Sequence, residues 1–328
     1  MDEFLTGMIL ILVASFFQGT FALFLKFAHH WKWENFWAIF SLVALIISPI
    51  LFSYLLVPNV ETILALSPAN AIFNSLFSGI LWGIGSVLFG LSIVRIGIAL
   101  TYSLIIGLTA AVGSVLPMLL APLPDLNVLL LFIMGILVMF LGLTFSAYAG
   151  IKRETKHSSN QFKLGLIIAV ISGLTSPMLN IGFVYGNPIL ETALTLGVSA
   201  EFASIPIWIA VLLGGFIVNF GYAAYLLIKA KTYELFSGNK STQLLLSVTS
   251  GLFFFSGLAI YGIASSLLSA LGTSVGWALL MSLMILISNL SSVLTGEWKN
   301  SKTALRYQLI SISLLIIGIS IMGFSLYI

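Results

Sequence analysis

The chain has 328 residues, of which 60% are hydrophobic and only 7% charged, with a formal net charge of +3 and no cysteine. Soluble domains carry about 25% charged residues, so a surface facing mainly water is excluded, and so are disulfides and thiolate metal sites. What is left is a chain whose outer surface faces lipid.

A bilayer core about 30 Å thick takes about 20 apolar residues per helix. Runs of that kind lie at 5–26, 34–56, 70–94, 97–120, 127–149, 164–185, 203–229, 243–265, 269–294 and 306–327, here called spans 1 to 10. They are continuous, not alternating, so they read as helices and not as barrel strands. Asp2 and Glu3 precede span 1, where a secretory leader would carry basic residues, so span 1 reads as a retained helix.

Taken in order, span 1 holds Gln18, followed by Gly19 and Thr20. Glu34 opens span 2 behind Trp31-Lys32-Trp33, and its plain alternative is an interfacial charge beside a Trp anchor. Span 3 carries Asn74, Trp82, Ser86 and Gly79-x-x-x-Gly83, the last a spacing that packs helices closely. Only Arg95 and Gly97 part span 3 from span 4, which holds Thr101, Tyr102 and Ser103. The 152–163 stretch (KRETKHSSNQFK) is a solvated linker at mid-chain. Span 6 has Ser172, Thr175, Ser176 and Asn180 around Pro177. Glu191 and Glu201 follow it in a long, largely apolar 188–205 segment that reads as a short helix folded over one mouth. Asn219 lies in span 7, Phe253-Phe254-Phe255, Ser256 and Tyr261 in span 8, and Thr273, Ser274, Trp277 and Asn289 in span 9, which Glu297 closes. Pro49, Pro117, Pro177 and Pro206 are placed to kink their helices and free backbone carbonyls.

With ten spans, all 13 basic residues fall on one side. That side is expected to be cytoplasmic, which puts both termini outside. The mid-chain linker leaves five spans in 1–150 and five in 164–328. An odd number per half inverts the second half relative to the first, an architecture of transporters. Phe89-Gly90 at the end of span 3 and Tyr261-Gly262 at the end of span 8 take corresponding places in the two halves, in keeping with that reading. The fold class expected is therefore an all-α membrane protein of ten transmembrane helices in two inverted five-helix repeats.

Enzyme signatures are missing: there is no His-Glu-x-x-His, P-loop or G-x-S-x-G elbow, and His29, His30 and His157 all sit in loops. No enzyme activity, cofactor, metal or nucleic-acid partner is expected. Charge at a bilayer centre costs at least about 2.5 kcal/mol, and every Asp and Glu here falls at a span end or in a loop. Buried amides flanked by aromatic rings are the better candidates: Gln and Asn can bond sugar hydroxyls while Trp and Tyr stack on the ring face. The candidate substrate residues are Gln18, Trp82, Ser86, Asn180, Ser256, Thr273 and Trp277.

Trp31-Lys32-Trp33-Glu34-Asn35-Phe36-Trp37, Leu55-Leu56-Val57-Pro58-Asn59, Leu81-Trp82-Gly83-Ile84-Gly85, Ala193-Leu194-Thr195-Leu196-Gly197-Val198 and Gly296-Glu297-Trp298-Lys299-Asn300 resemble, in order, the bacterial L-rhamnose–proton symporter family. That family belongs to the drug/metabolite transporter superfamily. The resemblance implies ten helices in two inverted repeats, an inner-membrane location, a monosaccharide and protons as partners, and Glu34 and Glu191 as the acidic proton carriers. Thr273 stands near the family's acidic position before the span 9 Trp, and Ser86 and Leu88 stand where the family has amides. A different monosaccharide or uncoupled transport therefore stays open. The rival reading is an exporter or facilitator of lipophilic drugs or other small metabolites on the same scaffold, to which the Phe253-Phe254-Phe255 run and 25 Phe in all give footing.

Overall fold

The computed structural model describes residues 3–96, 98–120, 124–153, 159–237, 241–268, 272–294 and 302–325. Among them the secondary structure is helical throughout. Span 1 is α1 (Glu3–Thr20) and α2 (Leu23–Phe27). Span 2 is α3 (Trp33–Leu42), a π-turn (Val43–Ile47) and α4 (Ser48–Leu56), after which comes the short α5 (Val60–Leu66). Spans 3, 4 and 5 are α6 (Ala69–Ile96), α7 (Ile98–Leu120) and α8 (Leu126–Arg153). Span 6 is α9 (Ser159–Thr175) and α10 (Met178–Tyr185), followed by α11 (Asn187–Thr195). Spans 7 to 10 are α12 (Ile207–Ala230), α13 (Ser241–Leu267), α14 (Gly272–Leu294) and α15 (Lys302–Ser325), with a 3-10 turn (Thr232–Phe236) after α12. Gly97, residues 154–158 of the mid-chain linker and Glu297 lie outside the described residues.

Among the described residues, eight helical stretches are long and apolar enough to cross a bilayer: Glu3–Leu25, Trp33–Leu56, Ala69–Ile93, Leu126–Ala149, Phe162–Thr195, Ile207–Ala230, Ser241–Leu267 and Lys302–Met322. Shorter apolar helices, Leu104–Leu119 and Gly272–Ile287, occupy the places of spans 4 and 9. The outward faces of the bundle are apolar, with Leu55 70% and Ile228 72% exposed. An apolar surface of this extent requires lipid around it.

Proline decides where the helices bend. Pro49 has no N–H, and one residue earlier the ladder slips to a π-turn in which Ser48 N–H reaches Val43 O. Pro177 separates α9 from α10. Pro206 does not kink a helix as expected; it caps the start of α12, where its missing N–H has no helical partner to lose.

The helices pack in matched pairs. Helix α1 lies on α13 and α14, as α9 and α10 lie on α6 and α7; α12 crosses α6, as α3 and the π-turn cross α13; α8 runs along α15. Glycines set the closest crossings. A side-chain carbon at Gly79 would collide with Val211 O of α12, and one at Gly251 would lie 2.9 Å from Val43 of span 2. One at Gly85 would meet Thr175 and Ser176 of span 6, and one at Gly257 would meet Gln18 and Ala14 of span 1.

One end of the bundle gathers the described basic residues. Arg95 packs at Gly165, Tyr148 beside Lys152 meets Tyr307 beside Arg306 at 4.6 Å, and Trp31 Nε1 donates to Leu235 O at 3.3 Å. We call this the basic end. The opposite end carries α5 and α11, which pack on each other.

Candidate functional site

Two polar clusters occupy the interior. The first is sealed. After Pro177 the chain restarts as α10 and turns Asn180 into the bundle. Its Nδ2 donates to Gly113 O at 2.9 Å and Thr273 O at 3.0 Å, and its Oδ1 accepts from Tyr261 OH at 2.7 Å. Both amide donors and one acceptor site are thus used. Tyr261 OH also passes 3.2 Å from Thr273 O. Trp277 sits edge-on to Tyr261 at 5.5 Å, fills the hollow beside Gly113 and donates to Thr109 O at 3.2 Å. Asn180, Tyr261 and Trp277 are at most 1% exposed. Four helices, α7, α10, α13 and α14, are bolted together here.

The second cluster runs from mid-helix toward the basic end, and its tryptophans are only half-buried. Trp82 stacks on Phe254 at 5.9 Å with 21° between the rings. Room for its indole comes from Gly215, where any side chain would collide with it. Gln18 Nε2 donates to Phe254 O at 2.8 Å. Asn219 Oδ1 accepts from Ser86 Oγ at 2.9 Å and from Trp37 Nε1 at 3.0 Å, while its Nδ2 donates to Gly215 O at 3.0 Å. Rings continue from Phe254 to Phe40 at 5.5 Å, Trp37 at 4.6 Å and Trp33 at 5.1 Å. Trp37, Trp82 and Ser86 are half-buried, with flat apolar faces bordered by amides and hydroxyls. This combination suits a ligand with a C–H face and a rim of hydroxyl groups.

The carboxylates stand apart from each other. Glu34, half-buried in the first turn of α3, accepts from Thr232 Oγ1 at 2.8 Å. Asn35 Nδ2 adds a bond to Thr232 O at 2.8 Å, so the start of α3 is tied to the turn after α12. One helical turn along lies Trp37, a member of the aromatic cluster. Glu191 is exposed on α11 at the opposite end, where Asn187 Nδ2 donates to it at 3.3 Å.

The expected site residues therefore divide. Asn180, Thr273 and Trp277 meet in the sealed cluster, with Thr273 entering through its carbonyl. Trp82 and Ser86 belong to the second cluster, which Gln18 joins through Phe254. Ser256 is half-buried on α13 and makes no side-chain hydrogen bond among the described residues. A shallow hollow of about 270 Å³ lined by Tyr54, Glu61 and the 57–62 turn shares no residue with either cluster. Asn219 and Tyr261, polar residues of spans 7 and 8 in the sequence, and Trp37 and Phe254 lie outside the set of candidate substrate residues. A signal for Phe254 existed: it stands as far after Trp82 in the chain as Tyr261 stands after Phe89.

A family model described as "L-rhamnose-proton symport protein (RhaT)" matches residues 1–327. Among curated proteins, the chain is 28% identical over 289 residues to an "L-rhamnose-proton symporter" of Escherichia coli (strain K12 / DH10B), covering 83% of each chain. It is 27% identical over 294 residues to one from Citrobacter koseri, covering 84% of each. A Shigella boydii serotype 4 relative of the same name is 28% identical over 287 residues, again covering 83% of each.

Proposed function

The chain belongs to the L-rhamnose-proton symport protein family, and from that membership we propose that it carries L-rhamnose or a closely related monosaccharide across the bacterial inner membrane together with protons. It is a transporter and not an enzyme. The observation that carries this reading is the match of the family over residues 1–327. The half-buried Trp82, Ser86 and Trp37 beside buried Gln18 and Asn219 support it, because they offer stacking faces and hydrogen bonds but no fixed charge.

The basic end is the cytoplasmic one in this reading, and both termini are extracytoplasmic. Ten spans form two inverted repeats. Gly79 and Gly251, Trp82 and Phe254, and Gly85 and Gly257 are three pairs with one and the same separation along the chain. Within the two glycine pairs the contacts correspond: span 7 against span 2, and span 6 against span 1. Trp82 and Phe254 stack on one another, which supports a pseudo-two-fold axis passing between them. Transport proceeds by alternating access, one repeat moving against the other around that midplane pair.

Gln18, Trp82, Ser86 and Ser256 line the sugar path. Asn180, Thr273 and Trp277 close it toward the extracytoplasmic side in the state described and contact sugar when that side opens. Glu34 and Glu191 are the proton carriers, one at each end, with Glu34 favoured by its burial and its closeness to Trp37. Adding L-rhamnose to proteoliposomes of the purified protein tests the reading: co-entry of protons turns the outer medium alkaline. Alkalinisation evoked by lipophilic amines in place of sugar would transfer the assignment to the exporter reading.

A further inference from the structure

Two buried polar atoms stand close together without a partner among the described residues. Ser204 Oγ lies in the turn that leads into α12, and Trp208 Nε1 lies one helical turn later. Ser204 is 1% and Trp208 0% exposed. Both atoms face one place. A side-chain carbon added at Gly262 of α13 would sit 3.0 Å from Ser204 Oγ, 3.1 Å from Trp208 Nε1 and 3.3 Å from the Phe183 ring. Gly90, the counterpart of Gly262 in the first half, has nothing within 4 Å of such a carbon, so this polar lining belongs to the second half alone.

Native folds retain few unpaired buried polar groups, and each calls for a reason. The surroundings supply one. Trp208 stacks on Phe183 at 4.7 Å with 24° between the rings, and Phe183 meets Tyr261 at 5.8 Å. The two atoms thus lie directly behind the Asn180–Tyr261 seal. A change that parts the seal uncovers them.

We propose that Ser204 and Trp208 form an extracytoplasmic subsite for sugar hydroxyls, used when the seal opens. The indole N–H can only donate, while the serine hydroxyl can donate and accept. Together they match two neighbouring hydroxyls on one face of a monosaccharide, with the Phe183 ring against its C–H face. Ile205 and Ile207, the chain neighbours of Ser204 and Trp208, are buried as well, an apolar setting that suits a neutral polyol and not an ion. Gly262 is where α13 packs closest to both atoms, so a side chain there would press on them. The subsite rests on the sugar-transport reading and names where the sugar is first held.

The test measures L-rhamnose binding to purified full-length protein in nanodiscs by calorimetry, with melting temperature recorded in parallel. Ser204→Ala and Trp208→Phe each remove one unpaired group; the first keeps the packing, whereas the second also leaves part of the volume of a fully buried indole empty. Ser204→Ala is expected to melt at or above the wild-type temperature without sugar, because an unsatisfied buried group is gone. Both variants are expected to bind L-rhamnose about tenfold more weakly. Gly262→Ala, which sets a methyl against both atoms, should weaken binding at least as much. Affinities within twofold of wild type in Ser204→Ala and Trp208→Phe would overturn the subsite and leave the transport reading standing. A sugar-free Ser204→Ala protein that melts early would show the hydroxyl already bonded within the fold, which also overturns it. Wild-type protein that binds no L-rhamnose would bring down the transport reading and the subsite with it.

Discussion

Asn180→Ala removes the side chain that joins α10 to α7, α13 and α14. Three hydrogen bonds are lost: two donated to Gly113 O and Thr273 O at 2.9 and 3.0 Å, and one accepted from Tyr261 at 2.7 Å. Interhelical side-chain bonds in membranes average about 0.6 kcal/mol and reach about 1.7, so three sum to about 2 kcal/mol. Tyr261 recovers part of its share, since Thr273 O already lies 3.2 Å away. Tyr261→Phe keeps the ring contacts with Trp277 and Phe183 but orphans Asn180 Oδ1, at a cost of about 1 kcal/mol. The double variant should lose less than the sum, by about 0.5–1 kcal/mol, because both changes break the same bond. Reversible unfolding in mixed micelles, followed by circular dichroism, measures all three. An Asn180→Ala loss under about 0.5 kcal/mol, or strict additivity of the pair, would refute the claim that this cluster is a structural seal.

Gly79→Ala should cost about 1–3 kcal/mol or block assembly, because the new carbon meets the Val211 carbonyl; Gly90→Ala, with open space, should stabilise by about 0.5–1 kcal/mol. Their melting temperatures, compared side by side, check the crossing of spans 3 and 7. Trp82→Ala should raise the KM for L-rhamnose about tenfold, equivalent to ~1.4 kcal/mol for one lost aromatic platform, whereas Trp82→Phe should lie closer to wild type; an unchanged KM in Trp82→Ala would remove this ring from the sugar path. Glu34→Gln should abolish accumulation against a sugar gradient while leaving downhill exchange. If Glu34→Gln and Glu191→Gln both kept full dependence on the proton gradient, neither carboxylate would be the carrier.

Much of this was legible in the amino-acid order because lipid leaves a chain few choices. An apolar run of span length must be a helix, since no water is present to bond its backbone. The place of Pro177 marked the break in span 6, and the apolar 188–205 segment does contain a helix, α11. Gly79-x-x-x-Gly83 proved to be a packing surface against α12. Other features depend on which atom faces inward, and composition cannot show that. Thr273 stands among the candidates as a polar side chain, yet its carbonyl is the group that Asn180 engages. Trp37 stood in a stretch that looked like an interfacial anchor, but its N–H turns to Asn219 across the bundle. Pro206 looked like a kink and is a cap, because the chain between α11 and α12 is a run of turns and not a continuous helix.

Uptake of labelled L-rhamnose into proteoliposomes, with an inward proton gradient and again after a protonophore has collapsed it, tests the central claim most directly. The account predicts that sugar accumulates above the external concentration only while the gradient lasts. Accumulation that ignores the protonophore, or folded protein that moves lipophilic amines but no sugar, would contradict it.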